Sequence, residues 1–341
     1  MSQTTPLLTL DSLSVMYFGP PDLKAVSNVS FEVQPGEILG LAGESGCGKS
    51  TLISAITRLL PPNGEVTQGR IRFCEHDWLS LSEQEVNDWR WTRLALVSQS
   101  AMNSLNPVIS IGEQIVDAIV THQPKTSNRE AWIRAGDLLR LVEVDPKVVL
   151  SYPHELSGGM RQRAMIAMAL ALHPDLIIMD EPTTALDVVV QAQIIHQIRT
   201  LQERLGFSVI FVTHDMSLLL SVADRIAIMY AGEIVEMGPR ETMYRTPSHP
   251  YTRGLISSFP SVFETRNREG IPGSPPSMVS LPTGCRFHPR CGERMPCCSE
   301  AVPGAYTVGK DHYARCHLLE SSAADPYSGA AISKVAEKGE R

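Results

Sequence analysis

The stretch GESGCGKST, residues 43–51, fits the pattern G-x-x-x-x-G-K-[ST]. Glycines at these positions let the backbone N–H groups of Gly43, Glu44, Ser45, Gly46, Cys47 and Gly48 turn inward around phosphate oxygens. A helix starting at Lys49 would add the partial positive charge of its N-terminus. Lys49 would reach the β- and γ-phosphates, the Ser50 hydroxyl would ligate Mg²⁺, and Thr51 completes the motif. Cys47 sits at a free position and is read as a small-residue choice. Far along the chain lies a second constellation, GCRFHPRCGERMPCCSE, residues 284–300. It holds four of the chain's seven cysteines, Cys285, Cys291, Cys297 and Cys298, and Cys316 follows. Where thiols stay reduced, clustered cysteines more often bind metal than form disulfides. Four thiolates suit a tetrahedral Zn²⁺ or an iron–sulfur cluster, and the spacing matches neither the C-x₂-C knuckle nor the ferredoxin run.

These groups need a frame. The sequence has 341 residues, 43% hydrophobic and 20% charged, which is ordinary for a soluble globular protein of one large domain or two smaller ones. A net charge of -7 argues against nucleic acid as the main partner. No apolar run approaches the roughly 18 residues that span a bilayer, and MSQTTPLLTLDSLSV lacks the basic start of a secretory signal.

Strands are expected over 7–18 and 25–34, and EILGLAG (37–43) reads as a buried strand entering the glycine loop. KSTLISAITRLL (49–60) reads as a helix stopped by Pro61 and Pro62. Residues 66–73 read as further strand, 82–92 as helix and LALVSQ (94–99) as strand, with helical periodicity from about 100 to 170. DLIIMDE (175–181) and SVIFVTH (208–214) are continuous apolar strands suited to a parallel sheet covered on both faces. A hairpin is expected at Ala231–Gly232. Beyond about residue 240 this rhythm gives way to proline, glycine and cysteine, and prolines at 272, 275, 276, 282, 289, 296 and 303 preclude long regular elements.

Further motifs are LSGGMRQR (156–163), LIIMDEP (176–182), TALD (184–187), VTHD (212–215) and Gln99 at the end of LALVSQ. With the phosphate loop they resemble the ATP-binding subunits of ABC transporters, across residues 7–240. The resemblance implies a RecA-like, mostly parallel α/β core, an antiparallel β subdomain and a helical subdomain at about 100–165. It implies that Asp180 holds Mg²⁺ with Ser50 and Gln99, that Glu181 orients or deprotonates the attacking water, and that His214 contacts the γ-phosphate. Tyr17 matches the aromatic that stacks on adenine. Ser157, Gly158 and Gly159 are implied to cover ATP held by the phosphate loop of a second subunit. A P-loop metabolic kinase would leave LSGG and His214 unexplained.

MNSLNPVISIGEQI, TALDVVVQAQI, MYAGEIVEMG, PSHPYTRGLISSFP and GCRFHPRC are similar to the ATPases of the dipeptide/oligopeptide importer family, and to its D-type class. That resemblance implies a 1–240 nucleotide-binding domain, a 241–320 extension bearing four metal-binding cysteines, and a disordered 321–341 tail. It picks out Cys285, Cys291, Cys298 and Cys316, spaced C-x₅-C-x₆-C-x₁₇-C, as ligands of a [4Fe–4S] cluster, with Zn²⁺ the alternative and Cys297 a substitute for Cys298. The group would act as a structural staple or as a redox sensor. The implied partners are a second, related ATPase, two permeases and an extracytoplasmic solute-binding protein, with no nucleic acid. The implied place is the cytoplasmic face of the inner membrane. Nickel, glutathione and oligosaccharide importers share this ATPase type. A soluble ABC ATPase acting on nucleic acid is the reading from another class.

Overall fold

A computed structural model describes residues 5–98, 104–184, 186–258 and 270–320. The chain opens with β1 (Leu8–Tyr17), β2 (Leu23–Val33), β3 (Ile38–Ala42), helix α1 (Lys49–Ile56), β4 (Gly64–Phe73) and the short β5 (His76–Asp77). Strands β2, β1, β4 and β5 form an antiparallel four-stranded sheet in that order. Helix α1 is shorter than its apolar pattern suggests. Its chain turns at Arg58, whose φ is 56°. The guanidinium there donates to the carbonyls of Trp78 at 2.8 Å and of Leu79 and Leu81 at 3.3 Å, which bends the chain before Pro61 is reached.

After α2 (Glu83–Trp89) and β6 (Leu94–Val97), the chain enters a helical layer of α3 (Ile111–His122), α4 (Asn128–Leu141) and α5 (Gly158–Ala169). Ser110 and Glu113 form a reciprocal capping box at the start of α3, and Ser127 caps α4. Ile111, Ile115 and Ile119 face Ala131, Ala135 and Leu138 in one buried cluster, the i, i+4 stripe expected of packed helices. Gly112 permits the close approach, because a Cβ there would lie 2.4 Å from the Trp132 ring.

The chain returns to the sheet through β7 (Leu176–Asp180), α6 (Val188–Leu205), β8 (Ser208–Thr213), α7 (Met216–Val222), β9 (Arg225–Tyr230) and β10 (Glu233–Pro239). The hairpin between β9 and β10 turns at Ala231 and Gly232, as its sequence predicts. The second sheet has eight strands, and its neighbours β9, β3, β8, β7 and β6 are parallel. Alternation explains why these strands are apolar throughout. Ile38, Ile177, Val209 and Phe211 enter one core, while Leu39, Leu41, Ile178 and Ile210 enter the other.

Past residue 240 the chain retains short regular elements that its proline content had hidden: α8 (Arg240–Arg245), α9 (Pro250–Ser257), α10 (Cys297–Glu300), β11 (Tyr306–Gly309) and β12 (His312–Ala314). The last two form a hairpin, and β12 pairs antiparallel with β10 through Glu236 opposite Ala314 and Met237 opposite Tyr313. The eight-stranded sheet is thus completed from the far end of the chain. Among the described residues no helix is long and apolar enough to cross a membrane.

Candidate functional site

The loop between β3 and α1 uses its glycines for contact as well as for phosphate-facing geometry. Gly43 has φ 156°, and a Cβ there would lie 2.2 Å from the Met229 carbonyl oxygen. At Gly48, with φ 107°, a Cβ would lie 2.4 Å from the Ala25 carbonyl oxygen. The buried Lys49 folds back over the loop, its Nζ donating to the carbonyls of Gly43 at 2.6 Å and Glu44 at 3.0 Å. Cys47 is buried beneath it. Its Sγ lies 3.7 Å from Nζ, and burial raises its thiol pKa. Tyr17 reaches the same place from β1, with its hydroxyl donating to Thr51 Oγ1 at 3.1 Å and its ring against Gly64. Ser45 and Gly46 are exposed at the loop tip.

Parallel pairing brings the carboxylates to this loop. Asp180 ends β7 at the same end of the sheet as the β3 terminus, where the Ser50 hydroxyl and the Lys49 ammonium favour its charged form. Burial raises the Asp180 pKa, as does Glu181 beside it, while Lys49 and Ser50 oppose. Glu181 adopts φ 47°, a left-handed conformation uncommon for a side chain of its size, and its N–H donates to Val212 O at 2.8 Å. That bond pins the residue to β8 and sets its carboxylate between two partners. Oε1 lies 3.0 Å from His214 Nδ1, and Oε2 accepts from Thr184 Oγ1 at 3.1 Å. Burial pushes the Glu181 carboxyl up, but the His214 and Thr184 hydrogen bonds outweigh it and leave the group below its ordinary value. The arrangement is an ionised carboxylate, oriented from two sides, beside a lysine and a hydroxyl–carboxylate pair.

Ser157 stands apart from this group. It caps α5, its side chain accepting from Met160 N at 3.3 Å, and it is exposed with Gly158 and Gly159 behind it. A Cβ on Gly159 would lie 2.8 Å from Val190, so the helix start is seated closely against α6. Gln99 lies outside the described residues.

The cysteines meet at a second place. Cys285, Cys291, Cys298 and Cys316 line one cavity together with His249, Phe287, His288 and His317, and Cys297 does not line it. Gly284 has φ 66°, and a Cβ there would lie 2.4 Å from the Cys298 carbonyl oxygen, so glycine lets the 285 segment close on α10. Burial and the neighbouring thiols push Cys285 and Cys316 up to about 11. Among the described residues, no three His, Cys, Asp or Glu side chains converge as a single ion's ligands would.

Some residues that tie these two places together carry no motif. Arg290, next to Cys291, pairs with Glu44 of the phosphate loop at 2.6 Å. Glu236, wholly buried in β10, lies 2.8 Å from His312 of β12. Only the adjacency of arginines to the cysteines, at Arg286 and Arg290, marks any of this in the sequence.

Residues 26–184 match the family model described as ABC transporter, and 235–298 match the oligopeptide/dipeptide transporter C-terminal region. The chain is 41% identical over 300 residues to the dipeptide transport ATP-binding protein DppD of Caldanaerobacter subterraneus subsp. tengcongensis, covering 87% of this chain and 92% of that one. It is 41% identical over 330 residues to the oligopeptide transport ATP-binding protein OppD of Bacillus subtilis, covering 95% and 92%. The ATP-binding cassette MJ0796, solved as a dimer in a post-hydrolysis state with ADP and Pi, superposes with a TM-score of 0.61 at 28% identity, covering 68% of this chain and 98% of that one. The phosphate loop, the Asp180–Glu181 strand end and the C-terminal cysteine region thus lie in a chain that belongs to the family of ATP-binding subunits of dipeptide and oligopeptide ABC transporters.

Proposed function

We propose that this chain is the ATP-hydrolysing motor of a membrane importer for di- and oligopeptides. One observation carries the reading: Glu181, ionised and held between His214 and Thr184, stands beside the Lys49–Ser50–Asp180 group. Backbone N–H groups of 43–48 and the Lys49 ammonium bind the triphosphate. The Ser50 hydroxyl and Asp180 carboxylate are hard oxygen donors that interact with one another, a set that suits Mg²⁺, with Gln99 as a further ligand. Bound there, the ion would neutralise phosphate charge. Glu181 orients a water molecule and accepts its proton as the oxygen attacks the γ-phosphorus. The bond from that phosphorus to the β,γ-bridging oxygen breaks, giving ADP and inorganic phosphate. His214 holds Glu181 in place and faces the γ-phosphate. The position of Tyr17 beside Thr51 supports a contact with the adenine ring.

Membership of the family implies permease and dimer partners in general. More specifically, the helix start at Ser157–Gly159, with Ser157 exposed, supports a role in covering ATP held by the loop of a second, related ATPase. Two permeases would receive the motion through the helical layer and Gln99, at the cytoplasmic membrane face, and an extracytoplasmic solute-binding protein would supply peptide. The names of the relatives support a peptide cargo.

The four cavity cysteines support a thiolate-bound metal group, a [4Fe–4S] cluster or Zn²⁺, with Cys298 rather than Cys297 as third ligand. Their soft sulfur donors fit either, and cationic charge there would lower the raised thiol pKa values. Such a group would staple the short elements of the C-terminal region.

The test is Glu181→Gln in the complex with its permeases. ATP binding should persist while hydrolysis and peptide uptake fall by about 10²–10³, the scale of a lost general base. Turnover close to wild type would reject the assignment of Glu181.

A further inference from the structure

We propose that Arg290 is a positioning residue for ATP binding: it neutralises Glu44 and aims it away from the phosphates, so that the cysteine-rich region sets the nucleotide affinity of the phosphate loop. The proposal rests on the reading of residues 43–51 as the ATP site.

Glu44 occupies a free position in the loop motif, where phosphate binding needs a backbone N–H and no particular side chain. A carboxylate there is adverse, because it stands next to the place that must accept a polyanion. The structure answers this with one guanidinium. Arg290 Nη1 lies 2.6 Å from Glu44 Oε2 and Nη2 lies 3.0 Å from Oε1, a two-pronged pair bridging 246 positions of sequence. The Arg290 side chain is only 6% exposed. Its remaining donors are used to fix it: Nε to Pro272 O at 2.8 Å, Nη1 to Tyr230 Oη at 3.4 Å and Nη2 to Gly273 O at 3.4 Å. Its carbon centre lies 5.8 Å from the Tyr230 ring.

Glu44 is thereby held at every polar group. Its carboxylate meets Arg290, its N–H donates to the Tyr251 hydroxyl at 3.1 Å, and its carbonyl accepts from Lys49 Nζ. A second tie runs in parallel. Arg286, next to Cys285, pairs with Glu233 at 3.1 Å and donates to the Ala231 carbonyl. The following Gly232 N–H donates to the Cys47 carbonyl at 2.8 Å. Of two arginines adjacent to cavity cysteines, Arg290 therefore grips the loop directly at Glu44, and Arg286 holds the hairpin whose Gly232 N–H meets Cys47. Loosening the cysteine region would withdraw Arg290 and leave a bare carboxylate at the phosphates.

The experiment measures dissociation constants of the full chain for a fluorescent ATP analogue with Mg²⁺, alongside thermal unfolding. Arg290→Gln should weaken binding at least about tenfold, the scale of one uncompensated charge within about 12 Å of a phosphate charge at an effective dielectric of about 20. Adding Glu44→Gln to it should restore affinity to within about twofold of wild type, since the carboxylate is then gone. A purely structural role for Arg290 would lower the unfolding temperature and leave no such rescue. Arg290→Lys keeps the charge and loses the fork. It should fall between the two, and it serves if the glutamine variant does not fold. Wild-type affinity in both Arg290 variants, or a double variant no tighter than Arg290→Gln, overturns the proposal provided Lys49→Ala abolishes binding. If Lys49→Ala binds normally, the ATP-site reading has failed instead.

Discussion

Replacing Glu236 should unclasp the C-terminal region from the sheet. Its carboxylate is fully buried and accepts from three donors: Ser248 N at 2.7 Å, His249 N at 2.9 Å and His312 Nε2 at 2.8 Å. The first two start the turn into α9, and the third belongs to β12. In Glu236→Ala all three lose their acceptor. A buried donor without a partner costs about 1–3 kcal/mol, and breaking a buried pair from one side about 3–5 kcal/mol. Allowing for relaxation, about 4 kcal/mol is expected. At about 2–4 °C per kcal/mol for a domain of this class, the midpoint of thermal unfolding followed by circular dichroism should drop by about 10 °C. Glu236→Gln keeps an acceptor oxygen and should lose about half as much. Acid adds a signed check. Burial would push the Glu236 carboxyl up, yet His312, the Ser248 N–H, Thr252 and the His249 N–H together hold it below its ordinary 4.5. The unfolded chain therefore binds more protons beneath that value. The stabilisation is complete above about pH 4.5 and is lost as pH falls through the folded value, so wild type and Glu236→Gln should converge in stability on acidification. An alanine variant melting within about 2 °C of wild type would refute the reasoning.

Other outcomes follow from the same geometry. His214→Ala removes a bond that keeps Glu181 ionised, so the acid limb of the residual ATPase pH profile should move up from below the ordinary carboxylate value; a limb that stays in place would deny His214 that role. Gly284→Ala would force a Cβ against the Cys298 carbonyl at a φ of 66°, and it should cost about 1–3 kcal/mol, measured by chemical denaturation. Wild-type stability would show that the 285 and 298 segments tolerate separation.

Much of the nucleotide site is legible in the sequence because its determinants are local. The phosphate loop needs eight consecutive residues, and Asp180 with Glu181 announce themselves at the end of an apolar run. Parallel pairing of β3, β8 and β7 then brings these pieces to one edge, which strand periodicity also foretells. What could not be read is contact between distant segments. Nothing at Glu44 signals Arg290, and nothing in EIVEMG says that Glu236 waits for His312. Helix α1 ends early because carbonyls at 78–81 capture Arg58, a tertiary cause that the apolar pattern of 49–60 cannot contain. The hairpin 306–314 was masked by proline-rich surroundings, although YTV and HYA are short β-prone runs around a turn at Asp311 with φ 55°.

The pairing of β12 with β10 has a consequence for synthesis. A ribosome finishes β10 at residue 239, yet the neighbour that covers it arrives only with residues 312–314. Until then the nascent sheet carries an open edge and a carboxylate with no imidazole against it, a state that invites pairing with another chain. A premature stop or a cut after β10 would leave that state permanent. Forms shortened after β10 should therefore accumulate as aggregates or proteolytic fragments rather than as small ATPases.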